Sequence, residues 1–67
     1  MYNTVWPEIG EVWFFEKEEE HYLILSERKH IWNDAITVKG LHTKTGAIDN
    51  IMIYVTEIDE GHARRVA

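Results

Sequence analysis

A chain of 67 residues holds one domain, and its formal net charge of −5 disfavours broad contact with nucleic-acid phosphates, which takes clustered Lys and Arg. It has no cysteine, so disulfides and thiolate zinc sites are excluded. No apolar run approaches the roughly 20 residues of a membrane span.

Residues 1–8 read as an extended arm. Pro7 pushes Trp6 toward extended backbone and blocks an early helix. The arm lacks the basic start and long apolar segment of a secretory leader, so a cytoplasmic protein is the expectation. Residues 9–67 then form a single small domain.

A first strand runs from about Ile9 to Glu16. Its centre, Val12-Trp13-Phe14-Phe15, is apolar on both faces, since neighbouring side chains point opposite ways along a strand. Val12 and Phe14 are assigned to the core, which leaves Trp13 and Phe15 for an outer surface. The charged run 16–20 reads as a solvated hairpin tip. A second two-sided strand follows at His21–Glu27, with Tyr22 and Ile24 on one face and Leu23 and Leu25 on the other.

Residues 28–34 read as a connection closed by the turn-forming pair Asn33-Asp34. The third strand, Ala35–His42, alternates cleanly, with Ile36 and Val38 inward. A turn at Thr43–Gly46 leads to a fourth strand at Ala47–Val55. There Ile51, Ile53 and Val55 share a face, with Met52 and Tyr54 opposite. In the tail, Thr56 and Asp59 have capping-pair spacing. A short helical turn near Ile58–His62 and a closing strand at Ala63–Val66 are expected; a helix over 56–65 is the alternative.

Short strands joined by tight connections imply antiparallel pairing, because parallel pairs need crossovers that this chain lacks. The fold class is therefore all-β: an antiparallel barrel of four to five strands with a short C-terminal helical turn. The core candidates are Val12, Phe14, Ile24, Ile36, Val38, Ile51, Ile53 and Val55. A one-residue change of register would exchange the faces of the second strand.

The layout resembles small SH3-like β-barrel proteins of phages and other mobile elements. Gly10-Glu11-Val12-Trp13, Tyr22-Leu23-Ile24-Leu25-Ser26 and the Thr45-Gly46 turn carry the likeness from Ile9 onward. The first two segments also resemble the opening of the barrel-fold endoribonuclease toxins of toxin–antitoxin modules. The chain departs from those by its brevity, its acidity and the lack of a basic residue entering the second strand, so no catalytic residue is carried across.

No motif supplies chemistry. His21, His30, His42 and His62 are scattered, whereas a zinc site needs three or four convergent ligands. Glu57, Asp59, Glu60 and His62 suit a solvated turn as well as a metal. Glu11, Glu27 and Asp49 have no spacing that would shift a carboxyl for acid–base work, and Ser26 belongs to no nucleophile triad. The chain is therefore read as non-enzymatic, with no cofactor and no metal.

The aromatic residues carry the functional reading. Trp13, Phe15, Tyr22, Trp32 and Trp6 are the candidate partner-binding residues, because aromatic side chains dominate interface hot spots. Trp32, in a polar connection, is either a lid on the barrel or an anchor for a partner. The leading expectation is a protein-binding module that self-associates over the outer face of the first two strands. The acidic tip and Arg64-Arg65 are complementary ends that suit subunit contacts. One alternative is an acidic inhibitor or nucleic-acid mimic that occupies a basic host protein. Another is a nucleic-acid-binding or RNA-cleaving barrel.

Overall fold

The computed structural model describes residues 4–67; residues 1–3, the start of the arm, lie outside the described part. The fold is all-β and antiparallel, with six strands and one short helix among the described residues. In chain order these are β1 (Val12–Phe15), β2 (Glu20–Ile24), β3 (Lys29–Trp32), β4 (Ala35–His42), β5 (Ile48–Tyr54), α1 (Val55–Asp59) and β6 (Ala63–Arg65). β4 pairs with β5 along its length. Its other edge pairs with β3 near Ala35 and with β2 near His42. β2 pairs onward with β1, and β1 with β6.

β2 and β3 are thus two halves of one interrupted strand facing β4. In the break between them, Leu25 N–H donates to Lys39 C=O (2.8 Å) and Lys39 N–H to Ser26 Oγ (2.9 Å), which carries the pairing across. Residues 28–34 are therefore not a plain connection: Lys29–Trp32 forms a strand. It does so although all four residues are exposed, because β4 extends beyond β2 and offers bonding groups there.

β5 and β6 stand at opposite ends of the sheet, yet Ile53 and Ala63 join Trp13, Phe15, Ile24, Ile36 and Val38 in one core. The sheet must therefore coil round that core. α1 bridges from β5 to β6. It starts where Tyr54 N–H donates to Glu57 Oε1 (3.0 Å), so Glu57 rather than the Thr56–Asp59 pair secures its first turn. Gly61, at φ +79°, ends it.

Ile24, Ile36, Val38 and Ile53 are buried as expected, but the first strand is turned over. Trp13 is 2% and Phe15 3% exposed, while Val12 and Phe14 are half-buried on the outside. Ile51 and Val55 are also only half-buried. The reason for the turn-over lies in Glu11. Its Oε1 accepts the Trp13 indole N–H (2.9 Å) and the Glu8 N–H (3.0 Å), and its Oε2 meets Arg65 Nη1 of β6 at 3.3 Å. A buried indole needs such an acceptor. Trp6 and Pro7 in the arm complete the packing, Pro7 buried and Trp6 half-buried against the core.

The Trp13 indole bond holds the Glu11 carboxyl below its usual value of 4.5, aided by the Glu8 N–H and Arg65 and opposed by burial. A carboxyl depressed on folding contributes stability above its unfolded pKa, and that contribution is lost as pH falls through the folded value. Urea denaturation of Glu11→Gln should show lower stability than wild type at neutral pH. The two should converge as the pH is taken below 4.5.

Gly40 sits where β2, β4 and β5 leave no room for a side chain. A Cβ there would collide with Ile51 Cδ1 and approach Tyr22 Cδ1 at 3.2 Å. Gly40→Ala should cost about 1–3 kcal/mol in urea denaturation, as overpacking does. Ile51→Val removes the colliding methyl, so the double variant should lose less than the sum of the two single changes.

Candidate interaction surface

Residues directly opposite one another in an antiparallel pair share a face. Ala35 stands opposite Trp32 of β3 and Tyr54 of β5. It is fully buried yet lies outside the core cluster. Its cover is therefore on the outer face, where the rings of Trp32 and Tyr54 stack at 6.3 Å and 22°. Alanine leaves room for the two rings from flanking strands to lie over it. In the next row, Lys29, Thr37 and Met52 stand side by side.

The result is an apolar platform on the outer face. Trp32 is 55% exposed, Met52 46% and Tyr54 37%. Trp32 is thus not a lid over the core; it covers Ala35 and faces solvent. Met52 and Tyr54 were not among the candidate residues. Their signal in the sequence is their alternation with Ile51 and Ile53, which places them on the face away from the core.

The other four candidates lie elsewhere. Trp13 and Phe15 belong to the interior, so neither presents a surface to a partner in this fold. Tyr22 is half-buried, edge-on to Phe15 and His42 at 5.7 and 5.2 Å. Burial first, then the nearby Asp49, Glu20 and Glu18 carboxylates, raise its phenol above the ordinary tyrosine range. Trp6 meets His30 edge-on at 5.8 Å.

Beside the platform lies an open groove of about 690 Å³, lined by Glu16, Lys17, Glu18, Met52, Tyr54, Glu57 and His62. It brings the hairpin tip, β5 and α1 together. The complementary ends of the chain meet here within one molecule: Arg64 Nη1 pairs with Glu16 Oε2 at 3.1 Å and lies over the Phe14 ring at 4.8 Å. Arg65 is held by Glu11. Both tail arginines therefore face carboxylates of their own chain, and they form no open basic patch.

Among the described residues, no group of three or more His, Asp or Glu side chains is placed to hold a metal ion. No buried side-chain polar atom among them lacks a partner. No helix of the described residues is long and apolar enough to cross a membrane. Comparison with known proteins returns no matching family model, no matching curated protein and no matching solved structure.

Trp32 is the single exposed tryptophan among the three. Acrylamide should quench a readily accessible component of the intrinsic fluorescence. Trp32→Ala should remove that component and leave the more shielded emission of Trp13 and the half-buried Trp6.

Proposed function

We propose that this chain is a non-enzymatic protein-binding module that works through the Trp32–Tyr54–Met52 platform. The carrying observation is the exposed aromatic stack above a buried alanine. Large aromatic rings held in place by packing lose little freedom on binding, and such residues supply interface hot spots. The platform is built from three neighbouring strands, so its shape is preset by sheet register.

Self-association was suggested by an apparently uncovered face carrying Trp13 and Phe15. Those side chains lie in the core, and Val12 and Phe14, which take the outer face in their place, are half-buried. The acidic groove beside the platform favours a partner of opposite charge over a second acidic copy. The reading as an acidic inhibitor of a basic host protein draws on the same groove, and differs in what the partner does rather than in where it binds.

Capture from the native host with the folded chain as bait tests the platform. Wild type should retain a partner that Trp32→Ala loses and that Ile9→Ala, an exposed change away from the platform, keeps. Circular dichroism should show both variants folded, with Trp32→Ala costing no more than about 1 kcal/mol. A retained partner indifferent to Trp32→Ala would remove the platform reading.

A further inference from the structure

The described residues leave three strand edges to account for, and among these one is open in a way that invites pairing. β3 carries Lys29 and a register shift between His30 and Trp32. β6 is three residues long and carries Arg64 and Arg65. Charge, bulges and brevity are the ordinary means by which sheet edges are kept from pairing. β5 uses almost none of them: it is seven residues long, has no bulge, no proline and no basic residue, and its single charge is Asp49.

The hydrogen bonds show which groups β5 presents. His42 N–H donates to Ala47 C=O (2.8 Å), and Val55 N–H to Asp34 C=O (2.7 Å). These bonds bracket the β4–β5 register at both ends. Bonded pairs alternate with non-bonded ones in an antiparallel ladder, so they fall at Gly40–Asp49, Val38–Ile51 and Ile36–Ile53. Ile48, Asn50 and Met52 then turn their N–H and C=O groups away from β4. No other hydrogen bond among the described residues uses these groups. The next outward N–H, that of Tyr54, is already taken by Glu57.

The platform and the acidic groove share this strand, since Met52 and Tyr54 belong to both. We propose that the outward edge of β5 takes an extended, Lys- or Arg-bearing segment of a partner protein as an added strand. The proposal rests on the protein-binding reading and names its partner. Backbone groups of the segment would bond to Ile48, Asn50 and Met52, as in strand addition elsewhere. Side chains of the segment on the platform face would lie beside Met52 and Tyr54, with the basic ones reaching Glu18 and Glu57 in the groove that these residues share. Glu18 makes no ion pair among the described residues, whereas Glu16 is engaged by Arg64. A second copy fits less well, because pairing β5 with β5 would bring two acidic rims together.

The test uses capped peptides as long as β5: one alternating Lys and Val, one with Glu replacing Lys, and one Lys–Val peptide N-methylated at every residue. The Lys–Val peptide should bind saturably and slow amide exchange at Asn50 and Met52 by about tenfold or more, while Ile51 and Ile53 change little. The Glu–Val and N-methylated peptides should bind at least about tenfold more weakly. Binding of the Lys–Val peptide should fall as salt is raised. Met52→Pro removes an outward N–H without removing a ladder bond and should abolish binding; if it misfolds, the N-methylated peptide decides.

Unchanged exchange at Asn50 and Met52, or equal binding of the N-methylated peptide, would overturn the edge proposal. Slowing of the same amides with protein concentration and no peptide would assign the edge to a second copy and overturn it too. The two readings fail separately. A partner lost by Trp32→Ala with no peptide effect leaves the platform standing without the edge; a peptide effect with captured partners indifferent to Trp32→Ala leaves the edge without the platform.

Discussion

The bond from the Trp13 indole to Glu11 is the constraint on which the rest of this small fold depends. A chain of this size has few large side chains with which to fill a core, and Trp13 is one of the largest. Its indole N–H cannot be buried without an acceptor, and an unmatched one would cost about 1–3 kcal/mol. Glu11 supplies the acceptor from the same face of the same segment. With its remaining capacity it takes the Glu8 N–H before β1 and meets Arg65 in β6. One carboxylate thus joins the arm, the first strand and the last strand. Gly10 prepares the geometry: it holds φ +90°, which few other residues adopt, and donates its N–H to Ile24 C=O at 2.9 Å. The Gly-Glu-Val-Trp opening is accounted for by this clasp.

The same bond explains why pattern alone turned β1 over. Alternation places Glu11, Trp13 and Phe15 on one face and Val12 and Phe14 on the other. Both faces are apolar along the strand, so alternation by itself does not choose between them, and a charged residue such as Glu11 ordinarily points outward. Here that carboxylate faces inward because it has an indole and a guanidinium to meet. The one cleanly alternating strand was legible without such help: Ile36 and Val38 in β4 lie where alternation puts them, as does Ile53 in the two-sided β5. β3 was not legible. Lys29, His30, Ile31 and Trp32 are exposed and show no core face, and they form a strand only because β4 outruns β2.

The candidate surface was legible to a similar, partial degree. A tryptophan in a polar stretch stands out, and Trp32 is indeed exposed. What pairs with it could not be read from one strand at a time. The stack with Tyr54 depends on both residues being registered to Ala35, and Ala35 looks unremarkable in a list of residues. A larger side chain there would push the two rings apart. The platform is therefore a property of three strands in register, in which the smallest residue sets the spacing of the largest.

An open edge such as that of β5 is normally a hazard, because any exposed strand of another molecule can pair with it. Blunting it with lysine, as on β3, would protect the chain and also close the edge to partners. Charge offers a different protection. The hairpin tip and the first turn of α1 place Glu16, Glu18 and Glu57 beside the edge against one lysine, Lys17, and every copy of the chain carries the same net acidic rim. Two copies approaching edge to edge meet like charges at close range, where repulsion is least screened. A basic segment meets attraction at the same place. In the edge proposal the acidic net charge, which by composition alone speaks only of solubility, acquires a location and a direction at the rim of β5.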